Sequence, residues 1–313
     1  MKVYLNQNII LMLLFIVVYG SGFVGAKLGL GYSEPFTFLA VRFAIAGGLL
    51  ALGAVLLSAP WPKNPRWILV TGILMQGLFS VGVFYALYLG MKPAVCALII
   101  ALQPLLVTVL AGPYLKEQVT GWRWLGLLIG ISGVAVVVAD GLAVEGISWT
   151  TLVWALLGLL GLSLGQLIQK KHCADMHLIS GGALQVLGTV PVMLLLAFQF
   201  ETMQMQWHLD LVLAIFWMAV GVSLGAVSLL YILINRNSAS QVASVFYGIP
   251  VAAALIAWPL FEQIPTLADW GGFAVVVVGI LVANVRSKEA ITHENVANEK
   301  RSNAPHKLPL EAQ

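Results

Sequence analysis

The sequence predicts an all-α membrane protein: ten transmembrane helices as two inverted five-helix repeats (5+5), with both termini cytoplasmic (N-in/C-in). Three observations predict it. The composition cannot make a surface for water. Ten apolar stretches alternate with short polar breaks whose lysines and arginines gather on one side. The two halves of the chain match at one offset, while their charges reverse sign.

Of the 313 residues, 60% are hydrophobic and 9% are charged. A globular domain is about 45–50% apolar and about 25% charged. Sixteen Lys+Arg and 13 Asp+Glu cannot solvate a chain of this length, so its main partner is the lipid bilayer. A soluble enzyme, a secreted disulfide scaffold and a disordered protein are excluded. The net charge of +3 asks for neither nucleic acid nor an acidic partner. Cys96 falls inside a span and Cys173 in a loop, so the two are not placed to pair and no oxidising compartment follows.

A spanning helix needs roughly 20 apolar residues. The stretches that qualify are 8–27, 36–58, 67–89, 94–115, 122–140, 149–169, 178–199, 210–234, 239–261 and 267–285. Turn or charge signals separate them: Gly31 to Pro35, Pro60 to Pro65, Lys92-Pro93, Lys116 to Gly121, Asp140 to Gly146, Lys170 to His177, Glu201 to Asp210, Asn235 to Ser238, and Gln263 to Pro265. Lys2 followed by Gly20-Ser21-Gly22 is also how a signal peptide begins. The apolar stretch runs on to Ala26, and nine more spans follow, which favours a retained helix. After Val285 the composition turns polar, and 286–313 reads as a disordered cytoplasmic tail.

Orientation follows from the cations. With the N-terminus inside, Lys2, Lys63, Arg66, Lys116, Arg123, Lys170, Lys171, Arg236, Arg286, Lys288, Lys300, Arg301 and Lys307 all fall on the cytoplasmic side. Lys27 and Lys92 fall outside, and Arg42 lies within a span.

A shift of 146 residues lays Pro104 on Pro250, Pro113 on Pro259, Thr120 on Thr266, Trp124 on Trp270, Gly126 on Gly272 and Gly133 on Gly279. Under the same shift Lys116 meets Glu262, Arg123 meets Asp269 and Asp140 meets Arg286. Five spans per half is odd, so the second half enters from the opposite side, and matching positions need opposite charge. The domains are therefore repeat 1 over 8–140 and repeat 2 over 149–285. Inverted repeats of this kind belong to alternating-access carriers with a site near the midplane; duplication without transport, as in a channel or scaffold, is the other reading.

The pattern resembles the EamA-type branch of the drug/metabolite transporter superfamily over roughly residues 8–285. The residues that carry the likeness are Pro104, Lys116-Glu117, Gly126 and Gly133 in one half, and Pro250, Glu262, Gly272 and Gly279 in the other. Tyr19-Gly20-Ser21-Gly22-Phe23, Pro35 and Arg42-Phe43 add to it. Glu117 falls one residue out of register with Glu262, so neither acid is assigned to coupling. The resemblance implies ten helices around a central cavity, a bacterial inner-membrane location, and export of amino acids or other small metabolites.

The candidate substrate-binding residues are Tyr19, Arg42, Gln76, Ser80, Gln103, Gln166 and Tyr247. Arg42 lies about 10 Å below the outer end of its span at 1.5 Å per residue, and an intramembrane cation is a functional candidate by default. It could hold a substrate carboxylate, or it could pair with helix-end carbonyls or Glu34, or snorkel to the headgroups. Gln76 and Ser80, four apart, share a helix face. Gln103 precedes Pro104, which frees backbone carbonyls. Gln166 mirrors the Tyr19-Gly20-Ser21 stretch. Gln185, Ser223 and Ser228 are further polar groups at depth, and each such group either bonds across helices or lines a wet cavity. Phe79, Phe84, Trp154, Trp217 and Phe246 could wall that cavity or pack against lipid.

Gly126-x3-Gly130, Gly161-x3-Gly165 and Gly221-x3-Gly225 permit close helix approach and leave a homodimer open. His172, Cys173, Asp175 and His177 form no defensible metal spacing. No cofactor is indicated, and no phosphate-binding loop is present. No carboxylate or histidine stands mid-span, which argues against an enzyme and favours exchange or facilitated export over strict proton antiport. The sequence thus reads as a secondary transporter exporting a small metabolite such as a neutral amino acid. Multidrug efflux and a non-transport scaffold or receptor are the alternatives.

Overall fold

In the computed structural model, which describes residues 2–115, 121–144, 148–236, 245–246 and 248–285, every regular element is helical. The rods are α1 (Lys2–Gly29), α2 (Pro35–Leu56), α3 (Arg66–Tyr88), α4 (Pro93–Ile100, resuming as Gln103–Leu115), α5 (Gly121–Val144), α6 (Trp149–His172), α7 (Leu178–Phe200), α8 (Leu209–Phe216, continuing to Arg236), α9 (Gly248–Phe261) and α10 (Leu267–Val285). Seven of them are long and apolar enough to cross a membrane. Over the described residues three more apolar stretches are shorter: Trp124–Val137 in α5, Gly248–Phe261 and Leu267–Gly279. The expectations for Tyr247, Lys116, Glu117 and the tail 286–313 lie outside the described residues.

Local chemistry sets the helix ends. Pro35 opens α2 at its first turn, where its missing N–H costs nothing. Ser148 caps α6 by accepting from the Thr151 N–H at 3.3 Å, and Lys170, Lys171 and His172 close it against the helix dipole. Thr266 and Asp269 cap α10 reciprocally: Asp269 N–H donates to Thr266 Oγ1 at 3.1 Å, and Thr266 N–H to Asp269 Oδ2 at 2.8 Å. Gly90, at φ 106°, ends α3 in a conformation a side chain would strain.

Two helices depart from α geometry inside their length. Ile73–Leu78 of α3 and Trp217–Ala226 of α8 are π-helical. The N–H of Phe79 reaches back to the Leu74 carbonyl, five residues away. Extra residues per turn rotate the side chains that follow. The shared face expected for Gln76 and Ser80 assumed α periodicity throughout, and the π turn at Gln76 removes that premise. Gln76 is half-buried and Ser80 is buried. Helix α4 breaks at Ala101-Leu102, one turn before Pro104, as the lost proline N–H requires.

The helices pair across the two halves of the sequence. α5 lies along α10, α2 along α7, α3 along α6, α1 along α9 and α8, and α4 along α9 and α6. Glycines bring backbones together at these seams. A Cβ on Gly279 would sit 2.6 Å from both the Gly126 carbonyl oxygen and the Gly130 nitrogen. One on Gly82 would sit 2.4 Å from the Gly158 nitrogen. Gly161 and Gly165 face Leu74 and Met75 of α3. The Gly126/Gly130 and Gly161/Gly165 spacings are thus occupied by helices of the same chain.

Candidate functional site

A small cleft opens where α1, α4, α6 and α9 meet. Tyr19 and Phe23 line it from α1, and Leu162 from α6. Ala97, Ile100, Ala101, Gln103 and Pro104 line it at the break in α4; Phe246 and Ile249 close it before and within α9. The walls are mostly apolar. Tyr19 stands among Phe15, Phe23 and Phe246, with ring centroids 5.4, 6.5 and 6.1 Å away. The proline break explains the opening: it leaves α4 one turn of irregular backbone, and such backbone is tolerated in a membrane only against protein or a wet cavity.

Gln103 donates from Nε2 to Oε1 of Gln166 on α6. Two of the residues singled out from the sequence are therefore partners, joined across the halves. Gln103 is buried, whereas Gln166 is exposed. Gln185 does not face the cleft. It donates to Thr71 Oγ1 at 2.9 Å and to Gln169 Oε1 at 3.1 Å, tying α7 to α3 and α6. Of the aromatic candidates Phe246 lines the cleft, whereas Trp154 stacks on Tyr85 at 4.8 Å. Trp217 donates its indole N–H to Ser21 Oγ at 2.8 Å.

Arg42 is 7% exposed and reaches across to the middle of α8, where one terminal nitrogen donates to Ser223 Oγ at 3.2 Å. The Glu34 and headgroup readings for Arg42 are both corrected. Glu34 Oε2 instead accepts from the backbone and hydroxyl of Thr202, each at 2.9 Å, and the guanidinium is sealed inside the protein.

Sequence reasoning placed Glu201 and Asp210 only as the bounds of a break between two spans and missed what they hold. Glu201 caps the start of α2, accepting from Phe36 N–H at 2.7 Å and from Thr37 N–H and Oγ1 at 2.8 Å. Tyr32 donates to Asp210 Oδ2 at 2.8 Å and stacks on His208 at 5.0 Å. That bond, with the field of the carboxylate, raises the Tyr32 phenol above its ordinary value. His208 Nδ1 lies 3.1 Å from the same Asp210 oxygen. The one signal available was the acidic residue at the end of a span, which suits the positive end of another helix. Near the opposite end of α2, Ser180 Oγ donates to the Pro60 carbonyl at 2.6 Å, and Trp67 stacks on His172 at 4.1 Å.

Apolar helices around an internal cleft, cross-linked by buried polar bonds, define a multi-pass membrane protein. The chain belongs to the EamA-like transporter family, whose pattern matches residues 7–139 and again 149–285. It is a membrane transporter, not an enzyme. An uncharacterised transporter of Bacillus subtilis (strain 168), YvbV, is 27% identical over 292 residues, 90% of this chain and 93% of that protein. One from Archaeoglobus fulgidus is 24% identical over 87% of this chain and 97% of its own length. A probable amino-acid metabolite efflux pump of Escherichia coli (strain K12) is 26% identical over 52% of this chain and 53% of its own. A crystal structure covering 91% of this chain and 99% of its own superposes with a TM-score of 0.66 at 18% identity, a likeness of fold.

Proposed function

We propose that the protein exports a small metabolite, such as a neutral amino acid, across the bacterial inner membrane by alternating access. Its halves, 8–140 and 149–285, then lie in inverted topology with both termini cytoplasmic. The observation that carries this reading is the cleft at the α4 break, lined from both halves, with Gln103 in its wall bonded to Gln166 of the other half. Tyr19, Gln103 and Gln166 are its solute contacts, with Gln76, Ser80 and Tyr247 as further candidates.

The helix ends support the inversion. Lys27, near the end of α1, donates to the Leu87 carbonyl near the end of α3 at 2.7 Å. Trp67, at the start of α3, stacks on His172, at the end of α6. So α1 and α6 run in opposite directions, which five spans per half require. The π-helical segments of α3 and α8 also fall near one repeat offset. The name of the Escherichia coli relative supports an amino-acid-like cargo.

Exchange or facilitated export is the coupling. Of the acids at the rim, Glu34, Asp140, Glu262 and Asp269, two are engaged at helix ends, Glu34 with Thr202 and Asp269 with Thr266. Counterflow in proteoliposomes with labelled neutral amino acids tests the reading. One of them accumulates, and Gln103→Ala cuts its uptake roughly tenfold or more while the protein stays folded, the worth of one or two hydrogen bonds to the solute. No counterflow for any of the panel rejects the amino-acid cargo, and export that collapses with the pH gradient rejects exchange.

A further inference from the structure

The Arg42 guanidinium has five N–H donors. Its only hydrogen-bond acceptor among the described residues is Ser223 Oγ, and that hydroxyl spends its own proton on the Met218 carbonyl at 2.8 Å. Phe43 and Phe84 lie beside the cation, with ring centroids 5.3 and 5.8 Å away. Arg42 Nε is buried and has no hydrogen-bond partner among the described residues. A buried cation held by one neutral hydroxyl and two ring faces lacks its anion, and a buried charge demands one.

The protein's described carboxylates do not supply it. Glu34 holds Thr202, Glu201 caps α2, Asp210 holds Tyr32, and Asp269 caps α10. Asp175 and Glu262 are exposed beyond helix ends. Val222, next to Ser223, packs on Gly22 of α1, three residues from the cleft-lining Tyr19, so the cation's partner sits against the same stretch of α1 that walls the cleft.

We propose that Arg42 is the anchor for a carboxylate on the transported solute, so that the cargo is a small monocarboxylate. This deepens the carrier reading and rests on it. A guanidinium fork matches a carboxylate with two parallel hydrogen bonds, and Nε is one of the two donors such a pair uses. A single charge suits a monoanion: the guanidinium's contacts among the described residues, Ser223, Phe43 and Phe84, include no second cation to share a phosphate dianion. Ser223 orients the fork, and the two rings keep water from it.

Thermal unfolding of the purified full chain in detergent, against matched pairs of ligands, tests the anchor apart from transport. The panel is neutral amino acids and their 2-oxo acids, each beside its methyl ester and its amino alcohol, with inorganic phosphate as a separate arm. The expected result is that at least one acid raises the melting temperature while its ester and alcohol do not. Arg42→Gln then weakens that acid's binding roughly tenfold to a hundredfold, the worth of charge-assisted hydrogen bonds, and Arg42→Lys keeps part of it. Three results overturn the anchor: no acid stabilises, the ester matches its acid, or phosphate alone stabilises. If Arg42→Gln does not fold, the acid–ester comparison in the wild type decides alone. An acid that binds through Arg42 but shows no counterflow rejects the carrier reading and leaves the anchor standing.

Discussion

The two ends of the α2–α7 pair have the same backbone device and opposite chemistry. Ser58, just past α2, and Met203, just past α7, are 145 residues apart in sequence and both take positive φ, 50° and 55°. At the 203 end, Glu34 and Glu201 each cross to the other loop's backbone, and Tyr32, His208 and Asp210 extend the contact. At the 58 end, Ser180 to Pro60 is the bridge, with the Trp67–His172 stack beside it. The repeat fixes where the chain turns. The side chains decide how firmly each end is shut. In an alternating-access cycle the 203 end is then the one that needs more free energy to open.

Glu201→Ala carries the largest expected effect on that contrast. It leaves two backbone N–H groups at the start of α2 without their acceptor, along with the Thr37 hydroxyl. The loss is about 1–3 kcal/mol, within the range of a lost helix cap and a charge-assisted hydrogen bond. Thermal unfolding should register it as a clear fall in melting temperature. Cysteine labelling at the 203 end should rise as that end opens more often. An unchanged melting temperature would mean the carboxylate bonds are incidental to closure.

Ser180→Ala tests the weaker end. Ser180 is fully buried and its bond to Pro60 spans the halves. The expected loss is about 0.5–1.5 kcal/mol, the net worth of one neutral hydrogen bond. If it equals or exceeds the Glu201 effect, the asymmetry between the ends is false.

Much of this architecture can be read from the chain. The ten apolar stretches, the proline inside the fourth and the offset between halves are all local or periodic features, so a linear scan finds them; that the fourth stretch breaks at Ala101-Leu102 is seen only in the structure. Gln103 and Gln166 can each be singled out as amides at depth, but their bond spans 63 residues and depends on how α4 meets α6. Glu201 bonds to residues 164 and 165 positions away. Nothing in its neighbourhood names that partner. The π turn at Gln76 is invisible for another reason. It arises where α3 fits its backbone against α6 and α7, with Gly72 against the Gln185 backbone and Gly161 against Leu74. No propensity in Ile73–Leu78 encodes it. Arg42 was legible as an outlier because a cation inside an apolar run is rare whatever its partners.

Tyr32→Phe gives the smallest effect and the sharpest sign. The phenol proton bridges to Asp210, and the bond and the carboxylate together raise the phenol above the ordinary tyrosine value of 10.0. A raised acid contributes stability that is fully present below its unfolded value and fades as pH climbs through its folded one. At neutral pH the wild type should therefore be the more stable, by a small margin, since the site is solvent-facing and His208 can still approach Asp210 in Tyr32→Phe. Above pH 10 the wild type alone loses the bridge and gains a phenolate facing a carboxylate. The two melting curves should then converge or cross. Unfolding temperatures of both proteins from pH 7 to the alkaline limit of the detergent measure it. A gap that widens with pH in favour of the wild type would show that the 203 end is held by Glu34 and Glu201 without help from Tyr32, and would confine its firmness to the reciprocal carboxylates.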